Sequence, residues 1–488
     1  MKIEGGNEMV EQQTKRHVPT FQYALLSLLI VFAVLVVGIT VIGASLQVMM
    51  FITLMLMIPL AMRIGFSYNE VEGFAFDMIR SAFGVIMILM SVGALIGTWV
   101  ASGTISTLTY AGLQIIAPQF FLVTALILCS IVSVATGTSW GTLGSVGVAL
   151  IGVANAFDIN LAIAAGAIVC GAVFGDKLSP FSDTTNLAAA VSDVDLMAHV
   201  KHMLWTTTPA YLITAIIFTV IGFNIGAHES VAATTEMALI MEGIGTEFQI
   251  GWVPLLPLLV VLVLLLLKKP AFPSIFIGAL AGLLVAVFYQ GFSVKEVLGF
   301  MTNGYVSNTG IEVVDTLLSD GGITSVLGTV SLFIFTLGLG GILSGSGILQ
   351  TALNPLFTKL NSVKRLIPAT LAVTYVNCVI GASSNFSYSV VGPAMRPLYE
   401  NLKLDRVNLS RSLEDAGAVA SVTIPWNVTA VFAAGVLGVS QFDFIPFLFL
   451  SFLSPLVAFV YALIGFSIKK AEPKDGLNAI NNTKAAVD

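Results

Sequence analysis

Long apolar runs dominate the chain, and their length sets the first expectation. About 20 apolar residues carry a helix across a bilayer at 1.5 Å per residue. Runs of that kind lie near 21–43, 45–62, 81–100 and 205–225, and again near 253–267, 271–290, 322–343 and 444–466. Segments 161–199 and 409–440 each read as one span interrupted by polar residues. Segments 120–152 and 364–396 read as apolar hairpins with a Gly/Ser/Thr-rich middle, too polar at the tip to cross simply. The first run, Phe21 to Gly43, exceeds the ~7–15-residue core of a signal peptide and lacks a clear cleavage site, so it reads as a span. The pattern predicts an all-α polytopic membrane protein.

The interruptions carry the chemistry. One is Gly175-Asp176-Lys177-Leu178-Ser179-Pro180-Phe181-Ser182-Asp183-Thr184-Thr185-Asn186; the other is Ser421-Val422-Thr423-Ile424-Pro425-Trp426-Asn427-Val428-Thr429. Charged groups are costly in hydrocarbon and persist where they line a cavity or bind an ion. Each stretch also holds a proline, which removes a backbone hydrogen bond and opens a helix. Broken polar helices at membrane depth are how secondary transporters build ion and substrate sites.

The two halves repeat. Ser102-Gly103 and Thr107 recur 244 residues later as Ser346-Gly347 and Thr351. In the same register Gly137 meets Gly381, Ser139 meets Ser383, Asp183 meets Asn427 and Thr185 meets Thr429. Positive charge then orients the spans. Lys15, Arg16, Arg63, Arg80, Lys268, Lys269, Arg396, Lys403, Arg406, Arg411, Lys469 and Lys470 fall on one side, while the loop 226–252 has no Lys or Arg and carries Glu229, Glu236, Glu242 and Glu247. That bias closes if each half has about five spans, a re-entrant hairpin and a broken helix, with the second half inverted relative to the first. The expected layout is a cytoplasmic arm 1–20, a first repeat 21–225, an external loop 226–252, a second repeat 253–467 and a cytoplasmic tail 468–488.

Composition agrees and excludes other classes. Of 488 residues, 57% are hydrophobic and 10% charged, against about 25% charged in soluble domains. Mean hydropathy is +0.96, and no basic patch suggests nucleic acid. Cys129, Cys170 and Cys378 are isolated in apolar runs and read as small packing residues. His199 and His202 read as solvated interfacial residues, and His17 and His228 have no metal-site spacing. There is no Gly-x4-Gly-Lys-Ser/Thr loop for ATP. Val173-Phe174-Gly175-Asp176 departs from the Gly-x-Gly-Asp pattern of intramembrane aspartyl proteases, and a passive channel needs no buried titrating acid. No enzymatic activity is expected.

In the first break Asp176 and Asp183 supply negative charge, and Ser179, Ser182, Thr184, Thr185 and Asn186 add oxygens suited to a hard cation such as Na⁺. A carboxylate that takes either Na⁺ or H⁺ but not both is sufficient for exchange. Lys177 is expected to neutralise Asp176 and leave Asp183 to titrate. In the second break Thr423, Asn427 and Thr429 offer neutral oxygens. The hairpin tips, Thr138, Ser139 and Trp140 in one and Ser383, Ser384 and Asn385 in the other, complete the candidate site. Glu414 and Asp415 read as helix-start acids near the inner surface.

With Gly175–Ala188, Thr136–Thr142, Gly381–Asn385 and Pro425-Trp426-Asn427 in view, the chain resembles the NhaC-type Na⁺/H⁺ antiporter family over most of residues 20–467. The resemblance implies inverted repeats in a bacterial cytoplasmic membrane, both termini inside, with Asp176 and Asp183 as ion-binding acids and Ser179, Thr184 and Asn186 beside them. It implies no cofactor, only transported Na⁺ and H⁺. That family also includes malate–lactate exchangers and members linked to amino acids, so an organic anion stays open as a further partner. A homodimer is open too, with 102–117 and 346–360 as its candidate surfaces.

Overall fold

The computed structural model describes residues 18–226, 240–311, 314, 315, 318, 319, 321–353, 355 and 360–471. Most of the arm 1–20, residues 227–239 of the loop, the tail beyond 471, and with them Lys15, Arg16, His17, His228, Glu229 and Glu236, lie outside the described residues.

In the first half the elements are α1 (Phe21–Thr40), α2 (Leu46–Met62), α3 (Tyr68–Ser81), α4 (Phe83–Ala101), α5 (Thr104–Ile115), α6 (Pro118–Thr136), α7 (Ser139–Ala156), α8 (Leu161–Leu178), α9 (Asp183–Ser192) and α10 (Leu196–Gly226). The second half follows with α11 (Val253–Leu266), α12 (Ala271–Phe288), α13 (Val294–Asn303), α14 (Ile323–Gly345), α15 (Ile348–Leu353), α16 (Val363–Gly381), α17 (Ser384–Asn401), α18 (Val407–Thr423), α19 (Val428–Leu437), α20 (Gln441–Phe447) and α21 (Phe449–Ile464). Among the described residues nine helices are long and apolar enough to cross a membrane, or eleven if the bent pairs α18/α19 and α20/α21 each count as a span. A β-bridge joins Leu404 to Lys470.

Burial sorts the helices. Most of α4 and α8 is enclosed by protein, and α8 packs closely along α6. By contrast α1, α10, α11 and α12 expose Leu29, Val36, Ile216, Val220, Val263 and Leu284. Such faces suit lipid, where a helix satisfies its own backbone and needs no polar surface. The short helices α3 and α13 are amphipathic connectors that the apolar runs did not announce. Each opens with a capping box, Ser67 with Glu70 and Ser293 with Glu296.

Three features differ from expectation. First, α8 runs to Leu178, so Asp176 and Lys177 sit on helix rather than in the loop. Second, the half-helix after the first break starts at Asp183 and stops at Ser192, where Asp193 turns left-handed (φ 54°). His199 and His202 therefore begin the long α10, and both are buried, not solvated. Third, the offset between matching turns and helix starts in the two halves is not constant. The left-handed turns at Gly103 and Gly347, with φ 71° and 72°, keep the 244-residue offset. From α6 and α16 onward the helix starts lie one residue further apart, 118 to 363, 139 to 384 and 183 to 428. In the first tip Gly137 is the left-handed residue, and in the second it is Ala382, not Gly381.

Candidate functional site

Each hairpin tip rests on one helix break. Between α6 and α7, Gly137 adopts φ 73°, and a Cβ there would come within 2.6 Å of the Phe181 Cβ and 2.8 Å of its carbonyl carbon. Only glycine lets this tip lie so close to the first break. At the second tip the backbone N–H of Val428 donates to the Ala382 carbonyl at 3.0 Å. Four helices start here: α7, α9, α17 and α19. Three of those starts have side-chain caps. Thr138 Oγ1 accepts from the Gly141 N–H at 3.1 Å, Ser383 Oγ from Phe386 at 3.5 Å, and Asn427 Oδ1 from Thr429 at 2.9 Å.

These starts surround a cavity of about 560 Å³. Thr138, Ser139, Trp140, Asp176, Asp183, Thr184, Asn186, Ser383, Ser384, Asn385 and Thr429 all line it. Within it, Ser139 Oγ donates to Asp176 Oδ2 at 2.7 Å, while Asp176 Oδ1 has no partner among the described residues. Asp183 sits at the start of α9, its Oδ1 accepting from the Thr184 N–H at 2.9 Å and its Oδ2 from Asn385 Nδ2 at 3.4 Å. Trp140 Nε1 donates to Thr429 Oγ1 at 3.4 Å, tying the first tip to the second break. Lys268 and Lys269 also line the cavity, and Lys268 Nζ lies 3.6 Å from the centre of the Phe181 ring, a cation–π contact.

The remaining expected residues build the breaks instead of lining the cavity. Ser179 Oγ donates to the Val134 carbonyl at 2.7 Å, and Thr185 Oγ1 to the Lys177 carbonyl at 3.0 Å. Ser182 shares a 2.9 Å hydrogen bond with Thr184 and precedes α9. Thr423 bonds the Tyr375 hydroxyl at 2.8 Å, and Asn427 caps α19 with its Nδ2 left unpartnered. Asn186 does both, lining the cavity and donating to the Pro180 carbonyl at 2.9 Å.

Lys177 does not neutralise Asp176. Its ammonium pairs with Asp415, both side chains fully buried, and donates to Ser454 Oγ at 3.2 Å. Asp415 Oδ1 also accepts from Ser454 at 2.7 Å and Thr206 at 3.1 Å. Glu414 is fully buried beside it, so neither acid is a surface helix-start residue. Sequence reading missed this cluster. The available signal was a lysine within an apolar run, which requires a counter-ion at depth.

Chemically, two carboxylates give the cavity negative charge, while four helix starts present partial positive charge to anything within it. Comparison with known proteins then narrows the field. Residues 171–466 match the model of the Na⁺/H⁺ antiporter family. The malate-2H⁺/Na⁺-lactate antiporter of Bacillus subtilis is 40% identical, the alignment covering 91% of this chain and 94% of that one. The Na⁺/H⁺ antiporter NhaC of Alkalihalophilus pseudofirmus is 35% identical, covering 93% and 97%. The arginine/ornithine antiporter ArcD of Halobacterium salinarum is 33% identical, covering 96% of each chain.

Proposed function

The chain belongs to the Na⁺/H⁺ antiporter family, and on that premise we propose that Na⁺ and H⁺ compete for Asp176 and Asp183 and cross the membrane by alternating access. One observation carries the reading: both acids flank the same helix break and line one cavity where both hairpin tips and the second break meet. A proton or a Na⁺ neutralises the carboxylates, and the occupied site is the one that moves. Asp176 Oδ1, without a partner, and the hydroxyls of Ser139 and Thr184 are the oxygens offered to the ion.

The proposal includes the arrangement of the halves. Helix order and left-handed turns recur at 244–245 residues, and the positive loops fall on one side if the second half is inverted. In that arrangement α6–α7 and α16–α17 are re-entrant hairpins, and both chain ends and the Lys268-Lys269 mouth face the bacterial cytoplasm.

A second reading has its own support. A cavity of 560 Å³ is far larger than a bare Na⁺ requires, four helix starts favour an anion, and two lysines line it. A small organic anion exchanged with Na⁺ and H⁺ coupling fits that lining. Proteoliposomes containing a pH-sensitive dye separate the two. With a pH gradient imposed and no organic solute, Na⁺ should dissipate the gradient, and Asp183→Asn should remove the response. No response until malate is outside and lactate inside would overturn simple exchange in favour of the second reading.

A further inference from the structure

We propose that Glu414 is a second proton-carrying residue, set outside the cation cavity and loaded and unloaded in the same transport cycle. The proposal rests on the reading of the chain as a Na⁺/H⁺ antiporter and adds a site to it.

Glu414 is fully buried, and neither of its carboxylate oxygens has a hydrogen-bond partner among the described residues. Its charged surroundings are Lys177 and Asp176 on α8, Asp183 on α9 and Asp415 beside it on α18. Lys177 is the one cation in that set, and Asp415 already holds it. An ionised Glu414 would be a buried charge with neither hydrogen bonds nor a cation of its own, which is the costly case. The neutral, proton-bearing form is the one that fits this packing. His199, beside Lys177 from α10, is buried with both ring nitrogens unpartnered and supplies no anchor.

The position also offers a route. Ala418, one helical turn beyond Glu414, lines the cavity. Between them the helix widens into a π turn over Asp415–Val419, a distortion often found at functional sites. The ring of Tyr388 lies against Gly417, where a Cβ would come within 2.1 Å of it. Along this segment a proton leaving Glu414 moves toward the cavity. The step breaks and forms only O–H bonds. Glu414 loses H⁺ to cavity water, and the cluster of Lys177, Asp415 and Glu414 then carries one net negative charge until Glu414 is reloaded.

The test compares wild type with Glu414→Gln in proteoliposomes, measuring ²²Na⁺ self-exchange and protons moved per Na⁺. Self-exchange should stay within about twofold, while the proton count per Na⁺ falls by a single proton. An unchanged count overturns the proposal. The purified protein gives an independent readout, because the wild-type minus E414Q difference infrared spectrum should contain a protonated-carboxyl C=O band. A difference spectrum without that band overturns the proposal, even if wild type fails to exchange Na⁺ for H⁺ and the parent reading falls. Should E414Q not fold, Glu414→Asp must shift that band, and a band that stays in place counts against the proposal.

Discussion

Asp176→Asn should abolish Na⁺-driven proton movement while the protein stays folded. Asparagine keeps the shape of the side chain and can still accept the 2.7 Å hydrogen bond from Ser139, so the first tip remains attached to α8. What it loses is the charge. Removing one partner of a buried, hydrogen-bonded charge pair costs about 2–5 kcal/mol, so Na⁺ affinity should fall at least ~30-fold. The amide also cannot exchange a proton, so the residual signal in the dye assay should be background. Retention of exchange in this variant would move the shared site to Asp183 alone.

Lys177→Met should produce the largest loss of stability. It leaves Asp415 buried with hydrogen bonds from Ser454 and Thr206 but no cation. Breaking a buried pair by removing one partner costs about 3–5 kcal/mol, because the other charge is left uncompensated. Adding Asp415→Asn to Lys177→Met removes that charge and should restore most of the loss. Thermal unfolding in detergent checks both, with a lower midpoint for the single variant and recovery in the double. A single variant as stable as wild type would show that the pair does not hold α8 to α18.

Apolar run length located the long helices because a bilayer demands it, and the polar interruptions located both breaks because hydrocarbon does not tolerate them otherwise. Asp176, Asp183, Ser139, Trp140 and Asn385 were therefore legible as cavity residues. Ser179, Thr185 and Thr423 read the same way, since a hydroxyl that ligates an ion and one that satisfies a freed carbonyl look identical in sequence. In the structure these hydroxyls meet the carbonyls of Val134 and Lys177 and the hydroxyl of Tyr375. Partner choice was also hidden: Lys177 adjoins Asp176 in the chain, yet on a helix consecutive residues do not face each other, and α8 turns the lysine toward Asp415. The left-handed turn at Ala382 was hidden because the neighbouring Gly381 is the residue type that favours that conformation.

Competition between Na⁺ and H⁺ at the Asp176 site is tested most directly by proton release from the purified, weakly buffered protein on addition of Na⁺. Saturable release is expected, with apparent Na⁺ affinity rising as pH rises, and both should vanish in Asp176→Asn. Na⁺ binding without proton release, at an affinity that does not change with pH, would contradict a shared site.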